Sequence, residues 1–278
     1  MGDITIAGIT DPGMMRPNNE DRISTTPELG LAIVADGMGG HQAGEVASGM
    51  AVDVVTRHVV DVFARAAKAK KGSKSELPSV EFEAIDQAIT IANAAIFELA
   101  QKSPDCSGMG TTIVVTLFYD DKLCVGHVGD SRLYRYRNNK IELITEDHSL
   151  VQELVARGLI TPEEARNSAN KNLVTRALGI EATVEPQIRE CDIEDQDIFL
   201  LCSDGLNDVL PDEETAQILK EHSDDLDKAA ERLVEEVNAR GGPDNVSIVL
   251  VRPEKHFSRD EKAIQRLSDE LQTKQTSP

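Results

Sequence analysis

The 278-residue chain has only four cysteines, Cys106, Cys124, Cys191 and Cys202, and no two stand in CxxC spacing. That excludes a disulfide framework and a thiolate metal site, and the four read as reduced thiols. No window reaches the roughly 18 uninterrupted apolar residues of a membrane span. The opening MGDITIAGITDPG lacks a basic stretch followed by an apolar one, so no secretory leader is expected. These absences together point to the cytoplasm and away from a membrane. Cations are scarce too: 29 Lys and Arg face 49 Asp and Glu, a formal net charge of −20. A nucleic-acid backbone is therefore excluded as a partner, because it demands clustered cations. An acidic chain that handles an anionic ligand needs local positive charge, and bound metal ions can supply it.

With 40% hydrophobic residues the chain can bury a core. Two amphipathic helices are marked by apolar residues at three-to-four spacing. One carries Ala47, Met50, Ala51, Val54, Val55, Val59 and Val62; the other carries Ile85, Ile89, Ala92, Ile96 and Leu99. A third helix, around 225–240, should stop at Gly241–Gly242. Between the first two, residues 66–79 read as a solvated loop. Strand-forming runs occur at 31–35 (LAIVA), 112–119, 123–128, 198–202 and 246–251. Hairpins are expected across Asn138–Asn139 and Asp120–Asp121. Hairpins imply antiparallel sheets, and strands plus long helices imply sheets packed together beneath helices.

Acidic residues fall at the ends of these strands. Asp36 follows LAIVA, Asp130 follows LCVGHVG, Asp204 follows IFLLCS, and Asp244 shortly precedes VSIVLV. Asp21 opens RISTT, which is hairpin-spaced from LAIVA, so Asp21 and Asp36 should share one hairpin end. Thr111 and Asp130 bracket another hairpin in the same way. Five aspartates thus converge on one rim, where they repel unless protonated or neutralised. Oxygen ligands without a His or Cys cluster favour hard cations such as Mg²⁺ or Mn²⁺. Taken singly, Asp36-Gly37 and Asp204-Gly205 are also ordinary turn chemistry.

Seven motifs go beyond pattern: RPNNED (16–21), VADGMGGHQAGEVAS (34–48), GMGTT (108–112), GHVGDSRLYR (126–135), EDHS (146–149), LCSDGL (201–206) and GGPDNVS (241–247). In this order they resemble the bacterial branch of the protein phosphatase 2C-like family, the metal-dependent PPM phosphatases, over residues 3–252. The resemblance implies an α+β fold, a four-layer αββα sandwich with two antiparallel β-sheets flanked by helices. It implies hydrolysis of phosphoserine and phosphothreonine monoesters on proteins by a hydroxide bridging two Mg or Mn ions. It also implies a cognate Ser/Thr kinase whose products are the substrates. By motif, Asp36 looks like the carboxylate bridging both metals, with Gly37 adding its carbonyl. Asp204 and Asp244 resemble ligands of one ion, and Asp21, with Glu20 beside it, either a direct ligand on the other side or a residue that supports one. Asp130 with Asp204 matches a weaker third site. Arg16 resembles the guanidinium that holds the phosphate, its planar fork matching two oxygens.

Two metals about 4 Å apart lower the pKa of a bridging water, so no enzyme nucleophile is required. The leaving alkoxide needs a proton, and His41 is the candidate donor. In animal members a His directly follows the Asp-Gly pair, whereas Met38 stands there in this chain, so His41 could instead be a hydrogen bonder within its Gly-rich loop. His148 of EDHS reads as structural. Residues 149–180, with a helix start at Thr161–Pro162, resemble the flap beside the active site. The catalytic domain is expected over 1–253, and 254–278 as a charged tail or peripheral helix. The alternative is a catalytically weak phosphoprotein-binding regulator of the same fold. Retention of Asp36, Asp204 and Asp244 argues against it.

Overall fold

The computed structural model describes residues 4–40, 43–68, 79–166 and 168–276. In chain order the strands are β1 (Ile4–Asp11), β2 (Asp21–Thr26), β3 (Leu31–Met38), β4 (Gly110–Thr111), β5 (Ile113–Tyr119), β6 (Lys122–Val128), β7 (Arg132–Arg137), β8 (Lys140–Leu143), β9 (Gln187–Asp192), β10 (Ile198–Cys202) and β11 (Val246–Pro253). The helices are α1 (Ala43–Lys68), α2 (Val80–Lys102), α3 (Leu150–Ala156), α4 (Pro162–Arg166), α5 (Asp204–Asn207), α6 (Asp212–Glu221), α7 (Leu226–Ala239) and α8 (Glu261–Thr276).

The strands form two antiparallel sheets, ordered β1-β11-β10-β7-β8 and β2-β3-β5-β6-β9, with β4 beside β3. The run LAIVA is apolar at every position because β3 is covered on both faces. Leu31, Ile33 and Ala35 enter the core beneath α1 and α2, while Ala32 and Val34 enter the core between the sheets. Burying each larger side chain contributes roughly 1.5–3 kcal/mol. Phe118 of β5 meets Phe199 of β10 edge to face, with centroids 5.3 Å apart, joining the sheets across the middle. Helices α5–α7 cover the first sheet through Leu206, Leu219, Leu233 and Val237. The result is the four-layer αββα sandwich expected from the sequence.

Of the expected stripes, Ala47, Ala51, Val55 and Val59 of α1 and Ile85, Ile89, Ala92 and Ile96 of α2 are buried, while Met50, Val54, Val62 and Leu99 flank the core half-buried. Helix α2 starts where Ser79 Oγ accepts the Phe82 N–H at 3.1 Å. Helix α7 ends into Gly241 and Gly242, at φ 107° and 45°. The two hairpins turn at Asn138–Asn139 and at Asp120–Asp121, as their residue types suggest. Strands β1 and β9 were not anticipated. They are edge strands whose residues are mostly exposed or half-buried and whose apolar side chains are interrupted by Thr, Gly and charged residues, so neither makes a continuous apolar run. Of the loop expected over 66–79, residues 66–68 are instead the last of α1, which continues through Lys68. Residues 69–78 lie outside the described residues.

Helix α8 packs along α1 and buries Ala263, Ile264 and Ser268. Just before it, the Arg259 guanidinium donates to Leu29 O, pairs with Glu81 at 2.7 Å and lies 4.0 Å over the Phe63 ring. This segment is attached to the fold by a buried, satisfied cation.

Candidate active site

Antiparallel register places Asp21 of β2 directly opposite Asp36 of β3. Asp130 follows β6 after Gly129, which turns the chain at φ 106°. Asp204 opens α5 immediately after β10, and Asp244 precedes the neighbouring β11. All five therefore gather at one end of the sandwich. A cleft of about 470 Å³ lies there, lined by Arg16, Glu20, Asp36, Gly37, Asp130, Asp204 and Asp244 among others. Asp21 lies beneath the lining and is 3% exposed. Its Oδ2 accepts from Ser203 Oγ at 2.8 Å, whereas its buried Oδ1 has no hydrogen-bond partner. His41 lies outside the described residues.

The carboxylates are unusually reluctant to ionise. Burial, then the charge of Asp130, Asp208 and other carboxylates, pushes Asp204 up to about 8. Burial is also the first cause at Asp21 and Asp130, each raised to about 6. Asp36 is raised well above the ordinary range by burial and by the other four aspartates. Among the described residues no three close on a single point. Like charges spread, and Arg16 holds Asp244 through a 2.7 Å contact. An all-oxygen donor set with one buried oxygen lacking a donor, crowded enough to retain protons, fits hard divalent cations.

The two Asp-Gly pairs are not turns. Neither Gly37 nor Gly205 has positive φ; Gly37 lies within β3 and Gly205 within α5. Each is required by close backbone approach. A Cβ on Gly37 would lie 2.2 Å from Gly44 O, and one on Gly205 would lie 1.9 Å from Asn245 O.

Several residues that lie within the motifs, but to which the sequence assigned no role in the site, hold it together. Thr112 N and Thr111 Oγ1 both donate to Asp36 O at 2.8 Å, and Asp36 N donates to Thr112 Oγ1 at 3.1 Å. Thr112 Oγ1 also bonds Ser131 Oγ at 2.7 Å, which links Asp36 to the residue after Asp130. Asn245 clips the Arg16 loop: its Nδ2 donates to Pro12 O and Asn18 O, and its Oδ1 accepts from Glu20 N. Their place inside GMGTT, GHVGDSRLYR and GGPDNVS was a signal for these residues, but which backbone groups they bind is set only by the fold.

The flap is rooted beside these groups. His148 N–H donates to Gly129 O at 2.9 Å, and Gly129 N–H donates back to His148 Nδ1 at 3.1 Å. That Nδ1 must be unprotonated, and burial pushes His148 down to about 4. Its ring stacks on His127 at 4.8 Å. At the far root, buried Asn93 binds Gly179 N and Glu181 O, while Leu178 pairs with Thr111. Between the roots, Asn172 and Val174 reach the cleft wall.

The family model for protein phosphatase 2C matches residues 11–246, which takes in every aspartate of the cleft. The chain belongs to the protein phosphatase 2C family. The serine/threonine phosphatase Stp of Listeria welshimeri is 38% identical over 246 residues, 87% of this chain and 93% of that protein. The serine/threonine protein phosphatase PstP of Mycobacterium tuberculosis is 39% identical over 88% of this chain and 44% of its own length. Among solved structures, the PstP catalytic domain in complex with two manganese ions is similar at TM-score 0.74 and 36% identity, covering 91% of this chain and 99% of that one. The S. agalactiae serine/threonine phosphatase gives TM-score 0.77 at 37% identity, covering 90% and 100%. As a protein phosphatase 2C, the chain is a metal-dependent phosphoprotein phosphatase whose fold and cleft agree with that membership. No described helix is long and apolar enough to cross a membrane.

Proposed function

We propose that the chain hydrolyses phosphoserine and phosphothreonine monoesters on proteins at the five-aspartate cleft, in the cytoplasm and opposite a cognate Ser/Thr kinase. The observation that carries this reading is the in-register Asp21–Asp36 pair, with buried Asp21 beneath the acidic cleft that Asp36 lines together with Asp130, Asp204 and Asp244. Asp36, the Gly37 carbonyl, Asp204 and Asp244 would hold a tight pair of Mn²⁺ or Mg²⁺ ions, with Glu20 and Asp21 supporting the other side. Asp130 with Asp204 would hold a weaker third. Bound there, the ions supply charge neutralisation and an activated water. The manganese complex of the PstP domain supports this assignment.

The chain's own residues do the rest. Arg16 stands at the cleft mouth, 55% exposed, and its guanidinium can exchange Asp244 for two oxygens of a phosphate. The Asn245 clip holds its loop, and the Thr111–Thr112 clasp fixes the Asp36 backbone. Asn172 and Val174 of the flap limit access of water and substrate from one side. The test is release of phosphate from p-nitrophenyl phosphate and from a phosphothreonine peptide. Activity should appear with Mn²⁺, vanish with EDTA and return on adding metal back. Full activity in chelated buffer would sink the metal mechanism, and none with metal would sink the phosphatase.

A further inference from the structure

The cleft continues past Asp204. A second depression of about 620 Å³ adjoins it and shares Asp130, Asn172 and Asp204 with it. One wall is the flap, where Val151, Val155, Pro162 and Ala165 present apolar surface. The other wall is Val209 and Pro211, leading into Asp212 and Glu213 at the start of α6. Two kinds of charge line this groove. Arg132 with Asp147, and Lys171 of the flap with Asp208, are ion pairs at 2.7 and 2.8 Å and neutralise themselves. Asp212 and Glu213 are exposed, and neither has a cationic partner among the described residues.

We infer that this groove takes the polypeptide flanking the phosphorylated residue and selects segments carrying Lys or Arg beside an apolar residue. The inference rests on the phosphatase reading above and names the substrate class for that site. A phosphoprotein with its phosphate in the cleft must lead its chain away over the adjoining surface, and the groove is continuous with the cleft. Its apolar walls recover free energy only from an apolar side chain. Its unbalanced charge is negative. Asp212 and Glu213 do oppose the dipole of α6, but that end carries roughly half a positive charge against two carboxylates. A basic flank also offsets the approach of a phosphate to a chain of net charge −20.

The test uses phosphothreonine peptides differing only by Lys, Gln or Glu scanned through three positions on each side of the phosphothreonine. p-Nitrophenyl phosphate, too small to reach the groove, reports on the catalytic centre alone. The wild type should favour Lys over Glu at one or more positions by roughly three- to ten-fold in kcat/KM, the scale of two exposed charge contacts. The Asp212→Lys/Glu213→Lys variant should lose or invert that preference while hydrolysing p-nitrophenyl phosphate as before. The milder Asp212→Asn/Glu213→Gln variant should flatten it, and covers the case in which the charge reversal unfolds α6. A wild type indifferent to flanking charge, or a preference surviving in both variants, overturns the inference. Failure of the wild type to hydrolyse p-nitrophenyl phosphate overturns the phosphatase reading itself.

Discussion

Divalent cations should stabilise this protein far more at pH 7 than at pH 5, and the structure sets the size of the difference. Asp21 and Asp130 sit at about 6 and Asp204 at about 8, against 3.8 for an ordinary Asp. Because these folded values are raised, the metal-free fold gains stability from the bound protons. That gain is fully present below the unfolded value near 4. It is lost as pH rises through 6 for Asp21 and Asp130 and through 8 for Asp204. Each proton held by the folded chain alone changes stability by about 1.4 kcal/mol per pH unit. Between pH 5 and 7 the three groups together cost the metal-free fold on the order of 4–5 kcal/mol. His148, lowered to about 4, and His127, also lowered by burial, work in the opposite direction as pH rises. Both are present with or without metal, so they cancel when the two states are compared at each pH. The metal-bound carboxylates stay ionised, so the increment in Tm on adding saturating Mn²⁺ should grow from pH 5 to pH 7 by roughly 10 °C. Differential scanning calorimetry at half-unit pH intervals, with EDTA or Mn²⁺, measures this directly. An increment that is flat across the range would show that these carboxylates do not exchange protons for metal, and the reasoning would fail.

Three further outcomes are expected. Arg16→Ala removes an ion pair whose side chains are 55% and 34% exposed, so stability should fall by under about 1 kcal/mol, while kcat/KM toward a phosphothreonine peptide falls by the equivalent of roughly 2–4 kcal/mol. Lys at that position should recover only part, and wild-type kinetics in the Ala variant would remove Arg16 from the phosphate. Asp130→Ala should leave tight Mn²⁺ binding by calorimetry intact while turnover drops; loss of the tight pair would move Asp130 into the central site. Gly205→Ala should cost at least about 2 kcal/mol in urea unfolding, since its Cβ would meet the Asn245 carbonyl at 1.9 Å; an unchanged midpoint would show that this approach relaxes freely.

What the sequence alone determined follows from local rules. LAIVA read as a strand, and hairpin spacing from RISTT set Asp21 beside Asp36, because antiparallel pairing sets the start of one strand against the end of its neighbour. The amphipathic stripes of α1 and α2, and the stop of α7 at two glycines, were equally legible. Contacts between residues far apart in the chain were set only when the sheets stacked. Arg16 meets Asp244 across 228 positions, and Asn245 clips Asn18 across 227. Ser203 reaches Asp21 across 182. The Asp-Gly pairs show the limit most clearly. Taken singly in sequence they also fit turns, and in the fold their glycines are demanded by the backbone of Gly44 and of Asn245. Periodicity and turn chemistry act over a few residues, whereas close approach and carboxylate crowding arise only when the two sheets are stacked and their rims coincide.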